Sequence, residues 1–374
     1  MKLTIDRNAL MLALSHVQAV VEKRNTIPIL ANILMQAEAD SLRLTATDLD
    51  IEASDSAEAK VKKAGQVTAP AQTLFDVVRK LPEGSEIALE LNENRLSITA
   101  GRSKFALPTL PAADFQTMAR EDAPVRFEVE AAELRRLIDK TRFAISTEET
   151  RYYLNGIYLH HAKGSDGAVL RAVATDGHRL ALSDAKAPKG SANLKGIIVP
   201  RKAVAEARRL LEDAPESVTI EASDSKITFH IGDATLTSKL IDGSFPEYQR
   251  VIPKDNGRIL TVQNKDFADA VDRVATVSAE RSRSVKLSLS KGKVTLAVTH
   301  SETGSGAEEV EADYDAEPME IGFNAKYLLD VTQQIEGDGC RLTIADAASP
   351  NTSVARLPGR RRSVDLSAAS TKPR

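Results

Sequence analysis

Three stretches of this chain close an apolar run in the same way. Ala168-Val-Leu-Arg-Ala-Val173 leads into Ala174-Thr-Asp-Gly-His-Arg-Leu180; an earlier stretch reads Leu42-Arg-Leu-Thr-Ala-Thr-Asp48 and a later one Val294-Thr-Leu-Ala-Val-Thr-His300. The copies fall 128 and 124 residues apart. Self-similarity at so long a period constrains the fold more than any local propensity, because each copy is large enough to close a core of its own.

The rest of the sequence keeps the same beat. A short alternating strand opens each copy: Lys2-Leu-Thr-Ile5, Arg126-Phe-Glu-Val129 and Ile259-Leu-Thr-Val262. A helical pattern follows each strand. Asp6 to Val21 puts Leu10, Ala13, Leu14, Val17 and Val21 on one face. A helix from near Glu130 does so with Leu134, Leu137, Ile138, Thr141 and Ile145, and one from near Asn264 with Phe267, Ala270, Val271, Val274 and Ser278. Phe143 falls on the wrong face of the second. A further helix in each copy starts at Pro70, Pro200 and Asn324, residues suited to a helix start. Its apolar face is Leu74, Val77 and Leu81, then Val204, Ala207 and Leu211, then Leu328, Val331 and Ile335. Hairpins follow, as in Ile87, Leu89 and Leu91 returning through Leu96 and Ile98, and Val218 and Ile220 returning through Ile227, Phe229 and Ile231.

The expected fold is α+β, with three repeated domains over residues 1–120, 125–252 and 258–374, each having two helices packed on antiparallel sheet. Polar, proline-bearing linkers at 114–124 and 246–257 separate them. From Asn351 onward the third copy loses its alternation to a basic, turn-rich sequence, which reads as a disordered tail.

The formal net charge is −3, which excludes a uniformly nucleic-acid-coating surface and leaves room for a local basic face. One cysteine, Cys340, excludes an internal disulfide framework and suits a reducing compartment. No run approaches a membrane span and the first residues lack a signal-peptide core, so the cytoplasm is the expected location. Basic residues accompany most of the helices: Arg24, Arg79 and Lys80; Arg135, Arg136, Lys140, Arg201, Lys202 and Arg209; Lys265, Arg273 and Lys326. Such faces hold phosphates without reading bases. The closing strand of the first copy offers Arg102 and Lys104 beside Phe105 and Leu107, whereas the third copy offers Glu302, Glu308, Glu309 and Glu311. A basic edge and an acidic edge favour head-to-tail contact.

Catalytic chemistry finds little support. There is no phosphate-cradling glycine loop, no His-Glu-x-x-His and no cysteine pair. Strand alternation places Asp48, Asp50 and Glu52 on an exposed face, an unpromising metal site. Adjacent His160 and His161 point to opposite faces of a strand and cannot share an ion. Asp176 beside His178 has the residue types of an acid–base pair and no nucleophile, so a capped turn is the simpler role, with a small-molecule hydrolase as the rival. No catalytic residue, metal or cofactor is assigned, and Cys340 reads as a small buried residue.

Over about residues 1 to 350 the chain resembles the bacterial DNA polymerase III beta subunits, the sliding clamps. The motifs are Arg24-Asn-Thr-Ile-Pro-Ile-Leu30, Thr109-Leu-Pro-Ala-Ala-Asp-Phe115, Arg151-Tyr-Tyr-Leu-Asn-Gly156, Ala174 to Leu180, Ile198-Val-Pro-Arg-Lys202, Ser238-Lys-Leu-Ile-Asp-Gly243 with Phe245-Pro-Glu-Tyr248, and Ile321-Gly-Phe-Asn324. The resemblance implies a head-to-tail homodimeric ring that encircles double-stranded DNA without sequence preference and tethers the polymerase, itself non-catalytic. It places DNA contacts at Arg24, Tyr152, Tyr153, Arg201 and Lys202, to which the basic helix adds Arg79 and Lys80. It implies a groove for short peptides of the polymerase III alpha subunit, the clamp loader, other polymerases and repair proteins. That groove is walled by Arg151, Tyr153, Leu154, Thr175, Gly177, His178, Arg179, Leu180, Pro246, Arg250, Val251, Asn324 and Tyr327. Dimer contacts fall to Arg102, Lys104, Phe105 and Leu107 at one end and Thr276, Val277, Glu308 and Glu309 at the other. A scaffold that binds partners through the groove without encircling DNA is the alternative. Family members end in a short apolar strand containing Met-Pro-Met, which this chain lacks, so partner peptides are expected to bind it more weakly.

Overall fold

The computed structural model describes residues 1–22, 26–119, 121–253, 256–278 and 284–346, with the backbone alone of 351–355 and 364–368. Six α-helices are present among these residues: α1 Arg7–Gln18, α2 Ala71–Lys80, α3 Ala131–Asp139, α4 Arg201–Leu210, α5 Asn264–Ala275 and α6 Ala325–Thr332. Among the described residues all strand pairing is antiparallel, and it builds three sheets.

Two compact units divide the chain, and the second repeat is shared between them. The first comprises Met1–Glu133, Pro188–Leu194 and Lys202–Leu240. It contains a five-stranded sheet ordered Lys60–Lys63, Lys2–Asp6, Glu86–Asn92, Arg95–Ala100, Ser103–Pro108. It also contains an eight-stranded sheet running from Val125–Glu130 to Gly65–Pro70. In its middle Ala234–Lys239, the last strand of the second repeat, pairs with Ile51–Glu58 of the first, Leu236 opposite Ala53. The second unit comprises Leu134–Ala187, Lys195–Arg201 and Ile241–Arg374 and holds one twelve-stranded sheet.

The helices follow from their patterning. Asp6 caps α1, its carboxylate accepting from Asn8 N at 2.8 Å and Ala9 N at 3.1 Å, and Leu10, Ala13, Leu14 and Val17 are buried. Asn324 caps α6 through Lys326 N at 2.9 Å. Pro70 stands at the cap of α2, one residue ahead of the first helical position. In α5 the stripe Phe267, Ala270, Val271 and Val274 meets Leu287, Leu296, Ile321 and Leu328, and burying Phe267 alone is worth roughly 2–3 kcal/mol. Cys340 lies in this core, and burial pushes its thiol up to about 12.

Several sequence expectations are corrected. The first helix stops at Gln18, short of Val21. The second stops at Asp139, so Thr141 and Ile145 belong to the irregular stretch around a single 3-10 turn, Arg142–Ala144; both are buried, which produced the false helical periodicity. Ser278 likewise lies beyond α5. Asp48 is not on an exposed strand face: it makes a turn, accepting from Asp50 N and Ile51 N at 2.9 and 2.8 Å, while Glu52 accepts from Met118 N at 2.7 Å. The disordered-tail expectation fails for ten residues. Asn351–Ala355 pairs with Gly339–Ile344, and Val364–Ala368 pairs with both Asn351–Ala355 and Arg179–Lys186. Val364-Asp-Leu-Ser-Ala368 does alternate, and the arginine run before it hid the pattern; an open strand edge supplies the remaining drive. Residues 356–363 and 369–374 lie outside the described part of the chain.

Candidate functional site

Gly167–Thr175 and Arg179–Lys186 form a hairpin whose turn is Asp176-Gly177-His178. Asp176 Oδ1 accepts from His178 N at 2.9 Å and Arg179 N at 3.0 Å, and Thr175 Oγ1 accepts from Gly177 N at 3.1 Å while donating to the Arg179 carbonyl at 2.7 Å. The threonine and aspartate side chains thus hold the turn from within, as Asx and Ser/Thr turns do. Gly177 has φ +85°, and a Cβ there would sit 2.3 Å from Arg151 Nη1. That arginine reaches across to the Asp176 carbonyl at 2.9 Å and to Glu148 at 2.8 Å.

Arg179 turns inward and is 9% exposed. It donates to Asp176 at 3.1 Å, to the Phe143 carbonyl at 2.7 Å and to Asp330 of α6. Its guanidinium also lies 4.4 Å from the Tyr327 ring centre and 5.2 Å from that of Phe143. This explains why Phe143 breaks the helical stripe: it faces Arg179 instead. His178 stays exposed and lies against Tyr327, ring centres 6.5 Å apart, whose phenol is raised by burial and by Asp176. Asp176 is therefore committed to the turn and to Arg179, and His178 is an exposed ring beside Tyr327.

The structure brings together Arg151, Thr175, Gly177, His178, Arg179 and Tyr327 around this turn. Leu154 and Leu180 are buried beneath it, 3% and 5% exposed. Pro246, Arg250 and Val251 are exposed on a segment anchored by Tyr248, which packs on Val173, Leu180 and Leu182. Asn324 is occupied as the α6 cap. Sequence reasoning missed Phe143, Tyr248 and Asp330; Tyr248 stood in a quoted motif, whereas Asp330 gave no signal beyond helix periodicity.

The residues expected at nucleic acid fall in both units. Arg24 lies outside the described residues. Tyr152 is 54% exposed and meets Tyr153 edge to face at 5.8 Å. Lys80 and Arg201 are exposed, Arg79 pairs with Asp76 at 2.8 Å, and Lys202 is held by Asp48 and by Glu22 at 3.1 Å. The expectation that the helices' basic residues form free faces is corrected for several of them: Lys140 is buried, donating to the Gln334 carbonyl and pairing with Glu336 at 2.9 Å. Arg136 binds Ser183 and the Asp184 carbonyl, Arg209 donates to the Ser15 and His16 carbonyls at 2.8 Å, and Lys265 pairs with Asp269 at 2.7 Å. Lys140, Arg136 and Arg209 thus close helix ends and packing seams, whereas Lys265 makes an exposed pair one turn along α5. Among the edge residues Phe105 is 41% exposed while Leu107 is buried in its own unit. Glu308 pairs with Arg273, Glu309 with Lys293 at 2.6 Å, and Thr303 bonds to the Val277 carbonyl beside exposed Thr276.

Three family descriptions match in order: the DNA polymerase III beta subunit N-terminal domain over residues 1–119, its central domain over 128–247 and its C-terminal domain over 249–355. The chain belongs to the DNA polymerase III beta subunit family. The beta sliding clamp of Caulobacter vibrioides is 58% identical over 352 residues, 94% of this chain and 95% of the relative. That of Pseudomonas aeruginosa is 39% identical over 355 residues, 93% and 94% of the two chains. A crystal structure of the C. crescentus beta sliding clamp superposes with a TM-score of 0.95 at 56% identity, covering both chains fully. A Bartonella birtlesii sliding clamp bound to griselimycin gives 0.96 at 46% identity, again over both full chains. The fold is accordingly three clamp domains, and the function is that of a DNA sliding clamp, a non-catalytic processivity factor of replication. DNA, a polymerase and dimerisation are the partnerships of this family. Among the described residues no helix is long and apolar enough to cross a membrane and no cluster suits a metal ion.

Proposed function

We propose that two copies of the chain join head to tail into a closed ring, made of three domains each (1–120, 125–252 and 258–374), that encircles duplex DNA and works in the cytoplasm. One observation carries this reading. Within the chain, the closing strand of one repeat twice pairs with a strand of the repeat before it: Ala234–Lys239 with Ile51–Glu58, and Val364–Ala368 with Arg179–Lys186. The equivalents left over are Ser103–Pro108, an end strand of its sheet, and residues 304–311 of Gly304–Asp313, whose outer side has no neighbour among the described residues. A second copy joining these edges repeats the contact and closes the circle. Arg102, Lys104 and Phe105 then face Thr276, Val277, Glu308 and Glu309, with Leu107 as support beneath.

Arg24, Arg79, Lys80, Tyr152, Tyr153, Arg201 and Lys202 supply loose phosphate and sugar contacts, which permit sliding where tight ones would arrest it. The groove beside Gly177 takes short peptides from the polymerase III alpha subunit, the clamp loader, other polymerases and repair proteins. The B. birtlesii clamp binds griselimycin, and we propose that the same compound enters this groove and can serve as its probe. Once loaded by a clamp loader, the protein should stay on closed circular DNA and be lost within minutes of linearisation. Equal retention on both forms would establish a scaffold that does not encircle DNA.

A further inference from the structure

We propose that a buried hydrogen bond between Tyr248 and His160 fixes one wall of the peptide groove and makes partner affinity dependent on pH. The inference rests on the groove reading above. Its starting point is how little holds that wall. Pro246, Glu247, Gln249, Arg250 and Val251 are all exposed. The backbone hydrogen bonds of this turn are local: Tyr248 N to the Pro246 carbonyl, Arg250 N to that of Glu247, Val251 N to that of Tyr248. The segment is moored by side chains, with Phe245 stacked on Tyr158 at 4.9 Å and Tyr248, 2% exposed, sunk against the hairpin.

At the bottom of that mooring the Tyr248 hydroxyl lies 3.0 Å from His160 Nε2. The other ring nitrogen, Nδ1, is 3.0 Å from the His161 carbonyl. A carbonyl can only accept, so Nδ1 carries the proton, Nε2 of the neutral ring is the acceptor, and the tyrosine donates. Arg171 Nη1 donates to the same hydroxyl at 3.4 Å and is itself clamped by both oxygens of Asp184 at 2.7 Å. The chain of donors therefore runs one way, from Arg171 to Tyr248 to His160.

A second proton on His160 reverses the last link. Nε2 then presents an N–H to a hydroxyl already receiving one from Arg171, and the tyrosine proton loses its acceptor. The groups facing the ring are Arg171 and His161, which oppose the added charge, Asp184, which favours it, and the uncharged rings of Tyr158 and Tyr248. Burial holds His160 below the ordinary histidine range. The wall is therefore firm above that range, and the mooring is lost as pH falls beneath it. The equivalent strand of the first repeat, Asn32–Glu38, carries Gln36 at the matching place, since Asn32 opposite Pro70 corresponds to Gly156 opposite Pro200.

The test is a titration of a synthetic peptide of the alpha subunit's clamp-binding segment, and separately of griselimycin, into the intact protein between about pH 7.5 and 5.5. Tyr248→Phe keeps the ring and removes the donor; it should bind about tenfold more weakly at the upper pH and lose most of the acid dependence. His160→Gln retains an acceptor that does not titrate, and should bind nearly as tightly as the unmodified chain with a flatter profile. Every other group is common to the three proteins, so the difference between profiles isolates the Tyr248–His160 pair. Undiminished binding by folded Tyr248→Phe, or identical pH profiles for His160→Gln and the unmodified chain, overturns the proposal. Failure of the unmodified chain to bind either probe overturns the groove itself, and the mooring with it.

Discussion

The turn at Asp48 and the turn at Asp176 are built bond for bond alike. In each the threonine before the aspartate bonds to the carbonyl four residues on, Thr47 to Ile51 and Thr175 to Arg179, and accepts from the amide two residues on. In each the aspartate Oδ1 takes the amides at the next two positions but one, and Oδ2 meets a cation, Lys202 in the first and Arg179 in the second. Three of the five residues differ, Leu49, Asp50 and Ile51 against Gly177, His178 and Arg179, and the first of these bears on the backbone. Leu49 holds φ +78° where Gly177 holds +85°. The leucine tolerates a left-handed conformation costing about 1–2 kcal/mol, and the glycine leaves room for Arg151. The repeat thus preserves a strand-closing device, and the copy that sheds the side chain is the one proposed as a wall of the peptide groove.

The cations offer the sharpest way to break the likeness. Arg179 is nine-tenths buried between Asp176 and Asp330, whereas the Lys202 side chain is 36% exposed. Arg179→Ala should cost about 3–5 kcal/mol, because it strands two carboxylates, and Lys202→Ala about 1 kcal/mol. Denaturant unfolding compares the two; equal losses would mean that both turns are held alike. Next comes an exchange of the odd residue. Gly177→Leu should cost roughly 2–3 kcal/mol and, by expelling Arg151, abolish measurable griselimycin binding, while Leu49→Gly should change stability by less than about 1 kcal/mol. Calorimetry on both variants decides it, and a Gly177→Leu protein that still binds would remove the turn from the groove. The smallest effect belongs to the third repeat, where His300 Nδ1 replaces the carboxylate and accepts from Glu302 N and Thr303 N at a long 3.3 Å. His300→Asp should raise stability by a few tenths of a kcal/mol up to about 1; a fall in melting temperature would show that the third turn has diverged beyond repair.

Much of the fold was readable because the repeat multiplies weak local signals. Stripes such as Phe267, Ala270, Val271 and Val274 recur three times, and alternation such as Ile87, Leu89 and Leu91 marks the hairpins. Helix ends were misread where buried residues continued the period by accident, as Thr141 and Ile145 do. The last strand escaped because an arginine run masked it. Within the groove, the residues of the turn were legible as a motif, but the network around Arg179 was not. Its partners Phe143 and Asp330 lie 36 and 151 residues away, and only the folded sheet and α6 bring them together. The basic helices were misjudged for a related reason: composition cannot tell a lysine that faces solvent from one, like Lys140, that ends a neighbouring helix.

Cys340, sunk in the core with its thiol raised to about 12, has a practical corollary for anyone wishing to watch this molecule. The thiolate is the species that attacks maleimide and disulfide reagents, so a buried thiol held protonated keeps the native chain from reacting with them while folded. A single cysteine introduced on the surface would be its one modifiable handle, and dyes or spin labels could be attached at chosen spots without first engineering the background.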